Sequence, residues 1–131
     1  MMRTIRARNY MVRDVVTFSP DTDVMDAISV LVEHGISGAP VVDGTGNLVG
    51  LLSEKDCLGV ALEAGYYGER AGPVGQYMSR SVDTIEADTP IADVARRFIE
   101  TGRRRFPVMD GTRLVGQISR RDVLRAIRDL G

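Results

Sequence analysis

The chain has 131 residues, enough for one domain with a substantial core and too few for two ordinary domains. Its 17 basic and 18 acidic residues give a formal net charge of -1, so no overall basic field favours nucleic acid as a partner. The apolar runs are too short for a membrane span, and the charged first residues are not followed by the apolar segment of a signal peptide. The single cysteine cannot form an internal disulfide. Together these features predict a cytoplasmic protein.

The first elements of the chain are predicted from local patterns. Residues 1–9 are expected to form a short extra helix that packs across the molecule or at a dimer contact. The β-branched run 14–18 predicts a strand. Apolar residues at i, i+3, i+4 and i+7 from Val24 predict an amphipathic helix, and Gly35 is expected to end it as a left-handed C-cap.

A β-hairpin and a second helix follow. Residues 39–42 and 47–52 predict two strands, joined by a tight turn rich in Asp and Gly. The next helix is predicted from Ser53 to about Ala64. Residues 65–76, with several glycines and a proline, are predicted to be a linker.

The same order of elements then returns. Residues 82–85 predict a strand, and Thr89 is the expected N-cap of a helix with Pro90 at its first position and Gly102 after its end. Residues 106–109 and 113–118 predict a second hairpin. The last helix is predicted from Ser119 to near Leu130. Each copy therefore reads β-α-β-β-α.

This order reflects an internal repeat, since the segment from Tyr10 to Leu58 realigns on the segment from Tyr77 to Leu124 with a one-residue gap in the hairpin turn. A repeat predicts one supersecondary unit made twice, whose copies bury apolar faces against each other, and two related sites. The predicted organisation is an N-terminal extension (1–9), a first repeat (10–64), a linker (65–76) and a second repeat (77–131).

The strongest chemical signal is a Ser-x-x-Asp segment that opens a helix in each copy, at 53–56 and 119–122. A helix N-terminus presents backbone N–H groups and a positive dipole end to a phosphate. Lys55 or Arg121 adds a positive charge, and the aspartate one turn into the helix can accept hydrogen bonds from a ribose diol. These parts together describe a nucleotide site.

A structural interpretation explains the same pattern. Ser-x-x-Asp closely resembles a capping box, in which the serine caps the helix and the acid reaches back to the serine N–H. A duplication copies caps as well as sites, so the repeat alone does not decide between the two interpretations.

Longer motifs carry a resemblance to a known family. Gly35, the run Pro40–Asp43, and the run 50–56 (Gly-Leu-Leu-Ser-x-x-Asp) resemble the signature of the cystathionine β-synthase (CBS) domain, and the second copy has matching residues. A tandem pair of this kind is called a Bateman module. The resemblance implies an α/β fold of the α+β type, with two β-α-β-β-α repeats packed as a pseudo-twofold pair and two clefts between them. It implies no catalysis and no separate cofactor, but an adenosine-containing regulatory ligand: AMP, ADP, ATP, S-adenosylmethionine or NAD.

The resemblance also implies which residues contact that ligand. The ribose would be held by Asp122 and Asp56. The phosphate would be contacted by Ser119, Arg120, Arg121, Ser53, Lys55, Arg103 and Arg104. The adenine would rest against Thr17, Ile36, Ser37, Ala39, Thr84 and Phe106. One cleft would combine residues 119–122 with Thr17, Ile36, Ser37 and Ala39, and the other would combine Ser53, Lys55 and Asp56 with Thr84, Arg103, Arg104 and Phe106.

Charge distinguishes the two predicted clefts. Arg120 and Arg121 favour a phosphate beside Asp122, whereas Glu54 repels one beside Asp56, so the Asp122 cleft ranks first. The arginine run 103–105 favours the other cleft, or is a solvated edge paired with acidic residues.

Other chemistry-bearing residues are interpreted as structural. Asp21, Asp23 and Asp26 complement the dipole of a helix N-terminus, and the single histidine, His34, suits a helix C-terminus rather than a metal site. Cys57 at the start of a helix could have a lowered pKa, but its repeat partner is Val123, which favours packing.

The leading hypothesis is a regulatory, non-catalytic module that senses an adenine nucleotide and transmits binding to a separate regulated protein or to its own homodimer. The resemblance alone implies such a homodimer, formed through the helices. A ligand-free structural or protein-interaction module is the main alternative. A nucleic-acid binder that uses Arg103–Arg105, Arg120, Arg121 and Arg125 is disfavoured by the net charge, and an enzyme is disfavoured because no nucleophile–base pair is found.

Overall fold

The computed structural model describes residues 5–64 and 71–131, so residues 1–4 of the predicted extension and 65–70 of the predicted linker lie outside it. The helices and strands are, in chain order, α1 (Ala7–Tyr10), α2 (Val24–His34), β1 (Gly38–Val42), β2 (Leu48–Ser53), α3 (Glu54–Ala64), α4 (Val74–Tyr77), β3 (Ile85–Glu86), α5 (Ile91–Thr101), β4 (Arg105–Asp110), β5 (Arg113–Ser119) and α6 (Arg120–Leu130). Helices are mixed with sheets, which confirms the predicted α+β class. Within the described ranges, no helix combines the length and the apolar character that crossing a bilayer requires.

The chain folds into two compact units that differ from the sequence repeats. The first unit contains the described residues between Val16 and Val82, and the second contains those up to Val15 together with those from Asp83 onward. The opening residues of each repeat therefore belong to the unit that holds the rest of the other repeat. The predicted boundaries at 10–64 and 77–131 describe the two sequence repeats, not these structural units, and they stay a prediction.

The first unit is built on the antiparallel pair β1–β2, with Gly38 opposite Ser53. Helix α2 buries Val24, Ala27 and Leu31 on one face, as the predicted apolar spacing requires. It ends at Gly35, whose φ of 61° is the predicted left-handed cap.

The strand predicted at 14–18 is wrong. Phe18 alone forms an isolated parallel bridge to Val41: its N–H donates to Pro40 O at 3.0 Å and its carbonyl accepts from Val42 N–H at 2.8 Å. Extending this ladder to Val16 would need an N–H on Pro40, which proline lacks. The second copy is limited in the same way, because β3 begins at Ile85, opposite the residue after Pro107 (Val108), instead of at residue 82.

In the second unit, β4 pairs parallel with β3 and antiparallel with β5. Helix α5 buries Ile91, Val94 and Phe98 against this sheet and ends at Gly102, with a φ of 68°, as predicted. Its start is one residue later than predicted. Pro90 is extended and is itself the N-cap, because its carbonyl accepts the first helical hydrogen bond, from Val94 N–H.

Each unit also contains a four-residue helix. Helix α1 lies in the second unit, where Ala7 N–H donates to Thr89 O at 2.9 Å, and it confirms a short helix in the N-terminal segment. Helix α4 lies in the first unit, where Val74 N–H donates to Thr22 O at 2.7 Å. The sequence did not predict α4, because three of its four residues fall in the glycine-rich segment interpreted as linker.

Candidate ligand-binding site

Both Ser-x-x-Asp segments form complete capping boxes. In α6, Ser119 Oγ accepts from Asp122 N–H at 3.2 Å, and Asp122 Oδ2 accepts from Ser119 N–H at 2.8 Å and from its hydroxyl at 3.0 Å. In α3, the same contacts between Ser53 and Asp56 measure 3.2, 2.9 and 2.9 Å. The capping interpretation is therefore confirmed. It uses one oxygen of each carboxylate, which leaves the second oxygen to decide whether a ligand can bind.

That second oxygen differs between the two aspartates. Asp122 is 6% exposed, and its Oδ1 accepts a hydrogen bond from Arg125 Nη2 at 2.9 Å. Asp56 is half-buried, and its Oδ1 has no hydrogen-bond partner within the described part of the chain. Of the two predicted ribose ligands, Asp56 therefore has the available acceptor.

Two of the predicted phosphate ligands are held by other groups of the second unit. Arg120 donates from Nε to Arg103 O at 2.7 Å and from Nη2 to Gly102 O at 2.8 Å, so it caps the C-terminus of α5. Arg103 forms an ion pair with Asp83 at 2.5 Å. For Arg103, the interpretation of the arginine run as a paired, solvated edge is thus confirmed. Arg120 is therefore not available to a phosphate beside Asp122, which weakens the charge argument that ranked the Asp122 cleft first.

The remaining predicted phosphate ligands are solvent-exposed. Arg104, Arg121 and Lys55 are exposed, and none of them has a hydrogen-bonded or ionic side-chain partner among residues 5–64 and 71–131. These three cations can therefore reorient toward an anion without breaking an internal contact.

The segment before each Pro-Val strand lies directly beside the helix that carries the aspartate. Ser37 O accepts from Glu54 N–H at 2.8 Å, and in the second unit Arg104 O accepts from Arg120 N–H at 3.2 Å. Within each unit the structure thus places a predicted base-binding segment beside a Ser-x-x-Asp turn: Ser37 beside the turn of Asp56, and Arg104 beside the turn of Asp122. The clefts predicted from the sequence combine the same parts the other way, Ser37 with residues 119–122 and Arg104 with Asp56, and that grouping stays a prediction. Ser37 and Thr17 are exposed, and Ile36 and Thr84 are half-buried.

Two predicted adenine contacts do not hold for the side chains. Phe106 is 0% exposed and packs on Phe98 with ring centroids 4.7 Å apart, and the guanidinium carbon of Arg97 lies 5.2 Å from the centre of the Phe106 ring. Ala39, its repeat partner, is 2% exposed. Both side chains belong to the hydrophobic core of their unit, so only their backbone can face a ligand.

Sequence reasoning did not assign Arg125 to the ribose site. It considered this residue only as a possible nucleic-acid contact, whereas the structure places it on Asp122. A signal was present in the repeat alignment, because Asp56 and Asp122 are equivalent and the residue three positions later is Gly59 in one copy and Arg125 in the other.

Cys57 is a packing residue, as the repeat predicted. Burial, followed by the charges of Asp56 and Glu54, raises the pKa of its thiol, so the alternative of a lowered pKa is wrong. His34 Nδ1 lies 3.0 Å from Val30 O, one turn back in α2. The part of the chain that the structure describes contains no group of three His, Cys, Asp or Glu residues placed to hold a metal ion.

Several solved structures similar to this chain are of CBS-pair proteins, some in complex with a ligand. The crystal structure of CBSX2 in complex with AMP has a TM-score of 0.80 and 31% identity, and the alignment covers 95% of this chain and 97% of that one. CBSX2 is a CBS-pair protein from Arabidopsis thaliana. The CBS domain pair of protein MJ0100 in complex with 5-methylthioadenosine and S-adenosyl-L-methionine has a TM-score of 0.73 and 25% identity, over 97% of this chain and 98% of that one.

Longer proteins also contain a segment similar to this chain. The inosine-5'-monophosphate dehydrogenase of Methanocaldococcus jannaschii is 30% identical over 121 residues, which cover 92% of this chain and 23% of that enzyme. Several other curated relatives are matched in the same way, and the chain spans less than half of their length.

The family model for the CBS domain matches twice, at residues 7–63 and at residues 74–129. These two matches cover most of the chain and agree with the repeat found in the sequence. The chain belongs to the CBS domain family and carries two CBS domains in tandem.

Proposed function

We propose that this chain is a non-catalytic regulatory module that binds an adenosine-containing ligand. The observation that carries the proposal is the turn at the start of α3, which contains Asp56 with its available Oδ1 and is joined to Ser37 O by the Glu54 N–H. The similar chain CBSX2 was crystallised with AMP, and the CBS pair of MJ0100 with two other adenosine compounds. Both support a ligand that contains adenosine.

Asp56 is proposed to accept hydrogen bonds from the ribose hydroxyls through Oδ1. A charged acceptor makes stronger hydrogen bonds than a neutral one, and the capping contacts to Ser53 fix the position of the carboxylate. The further contacts that we propose from the first unit are Ser53, Lys55, Thr17, Ile36, Ser37 and the backbone of Ala39. A separate second site, which the family resemblance suggests for the second unit, would use Asp122, Ser119, Arg120, Arg121, Arg103, Arg104, Thr84 and the backbone of Phe106.

The local charges favour a ligand with few phosphates. Glu54 and Lys55 are both exposed at the start of α3, so the single lysine is offset by an adjacent carboxylate. A monophosphate or S-adenosylmethionine therefore suits Asp56 better than ATP does. ADP, ATP and NAD remain comparison ligands.

Exposed apolar residues on the helices support a homodimer or a regulated partner protein. Leu62 on α3 is 88% exposed and Ile99 on α5 is 84% exposed. A groove of about 520 Å³ runs between α5 and α6, with Leu124 and Ile127 in its walls. Apolar surface of this kind usually marks an interaction site. Sedimentation equilibrium of the wild type and of Ile99→Asp tests it, since the proposal expects a dimer that the charged variant weakens.

Thermal unfolding with AMP, ADP, ATP, S-adenosylmethionine or NAD tests the proposed function, with guanosine and cytidine nucleotides as controls. A ligand that binds only the folded state stabilises it by about 2.7 kcal/mol at a hundred times Kd. We expect a selective rise in Tm with one adenosine ligand, lost in Asp56→Ala, and recovery of that ligand chemically unchanged. No rise at millimolar concentration would favour a ligand-free interaction module, in which the capping boxes serve helix stability alone.

A further inference from the structure

Asp122 already has an internal partner for the oxygen that a ribose would need. Arg125 Nη2 donates to Asp122 Oδ1 at 2.9 Å, and the Asp122 side chain is 9% exposed. Its Oδ2 is held by the capping contacts to Ser119. Each oxygen of this carboxylate is thus occupied by a group of the same unit.

The guanidinium of Arg125 is held in place by a second residue. Nη2 also lies 3.2 Å from Tyr10 O, and the guanidinium carbon is 5.7 Å from the centre of the Tyr10 ring. The Tyr10 hydroxyl donates to Asp129 Oδ2 at 2.8 Å, which fixes the ring against α6. Arg125 therefore reaches Asp122 from a position that packing supports, and it is not a freely rotating surface side chain.

The first unit has no counterpart to this arrangement. Gly59 occupies the position three residues after Asp56, and a Cβ placed there would meet nothing within 4 Å. No described side chain approaches Asp56 Oδ1 within hydrogen-bond distance. The same Ser-x-x-Asp turn is therefore closed by an arginine in one unit and open in the other.

Displacing Arg125 by a ligand is unfavourable. A ribose hydroxyl carries no charge, so replacing Arg125 with it would leave the negative charge of an almost completely buried carboxylate without its cation. A buried carboxylate that loses its cation is strongly destabilised. A ligand can bind to Asp122 Oδ1 only if its own contacts make up for the lost ion pair with Arg125.

We propose that Arg125 is an internal occupant of the Asp122 site that excludes the ribose, so that one adenosine ligand binds per chain, at Asp56. This inference rests on the proposed function and specifies which of its two sites works. Arg125 is a positioning residue that determines site selectivity, and Gly59 is the residue that keeps the other site open.

Calorimetric titration with AMP, and in parallel with S-adenosylmethionine, tests the inference on four proteins: the wild type, Arg125→Met, Gly59→Arg and Gly59→Gln. Methionine keeps an apolar stem against the Tyr10 ring but removes the donor. Arginine at position 59 places a guanidinium three residues after Asp56, as Arg125 stands to Asp122. Glutamine there adds comparable bulk without charge and is the matched control. Thermal unfolding without ligand shows whether each variant is folded.

We expect one ligand per wild-type chain, a second binding event in Arg125→Met, and affinity lowered by about tenfold or more in Gly59→Arg but not in Gly59→Gln. Two equal sites in the wild type, or unchanged binding in both charge variants, would overturn the role of Arg125 and leave the proposed function standing. No binding of either ligand to any of the four proteins overturns both. Gly59→Arg keeps the test decisive if Arg125→Met does not fold.

Discussion

Gly116 lies so close to Met11 that no side chain fits between them. A Cβ on Gly116 would be 2.8 Å from Met11 Sδ and 2.8 Å from the carbonyl oxygen of Val12. The strand residue next to this glycine, Gln117, exchanges two backbone hydrogen bonds with Val12, at 2.8 and 2.9 Å. Glycine at position 116 is what allows the N-terminal segment to lie against β5.

The first unit repeats this relationship with the opposite segment of the chain. A Cβ on Gly50 would be 2.6 Å from Met78 Sδ and 2.8 Å from Ser79 O, and Leu51 exchanges hydrogen bonds of 2.9 Å with Ser79. The glycine in each Gly-x-x-Ser-x-x-Asp motif thus has a structural function: it seats the opening residues of the other repeat.

Gly116→Ala is expected to destabilise the protein by about 1–3 kcal/mol, because the Val12 carbonyl cannot move away as a flexible side chain could. The midpoint of urea unfolding measures this change. Gly59→Ala is the control, since that helical position has space for a Cβ and alanine there is expected to stabilise α3 by about 0.5–1 kcal/mol. Equal midpoints for Gly116→Ala and the wild type would show that the segment tolerates displacement.

Ser119→Ala removes the acceptor for Asp122 N–H and one donor to its carboxylate, so we expect a loss of about 0.5–2 kcal/mol. Ser53→Ala should cost a similar amount, since its contacts have nearly the same lengths. Thermal unfolding of both variants checks this, with Ser119→Thr as a control that keeps a hydroxyl. Loss of AMP affinity in Ser53→Ala beyond the loss seen in Ser119→Ala would indicate that Ser53 also contacts the ligand.

Local signals in the sequence predicted most of the elements. Gly35 and Gly102 end helices because a left-handed cap depends on the glycine itself, and Ser119 caps α6 because the box is complete within four residues. The β-branched run 14–18 predicts too long a strand, because Pro40 has no N–H to continue the ladder beyond Phe18. The contact of α1 with the second unit depends on hydrogen bonds across more than 80 positions, such as that from Ala7 to Thr89, which no local pattern encodes.

For the site, the sequence predicted both aspartates, but not whether the Oδ1 of each carboxylate has a hydrogen-bond partner inside the protein. The residue three positions later, Gly59 or Arg125, decides this through a side-chain contact that spacing alone does not reveal. The burial of Phe106 does not follow from strand alternation either, because residues 106–109 of β4 are all buried. The resemblance implies a ligand contact for this whole segment, whereas the side chain of Phe106 lies in the core.

Asp56→Ala and Asp122→Ala are expected to separate binding from stability. Loss of Asp56 removes the available acceptor, and AMP affinity should fall by about tenfold or more. Loss of Asp122 breaks a cap and leaves Arg125 without its carboxylate, so unfolding should become easier by about 1–3 kcal/mol with little change in affinity. Calorimetry and urea unfolding of both variants make the comparison, and a larger affinity loss in Asp122→Ala would contradict it.

Acid is expected to weaken the attachment of the N-terminal segment through Asp88. Arg8 donates from Nε to Asp88 Oδ1 at 2.8 Å, and this hydrogen bond, with the charge of Arg8, holds the pKa of the Asp88 carboxyl below its usual value. The folded-state pKa is therefore the lower of the two. The pair stabilises the folded protein at pH values above about 4, where the carboxyl is also ionised in the unfolded chain, and this stabilisation is lost as the pH falls through the folded-state pKa.

Asp88→Asn should accordingly lower Tm at pH 7 and have a progressively smaller effect as the pH approaches 3. Arg8→Gln should give the same pH dependence, and the double variant should be no worse than either single one, because the two side chains act as a pair. Thermal unfolding of the four proteins between pH 7 and pH 3 provides the measurement. A Tm difference between Asp88→Asn and the wild type that stays constant across this range would show that the ion pair does not stabilise the segment.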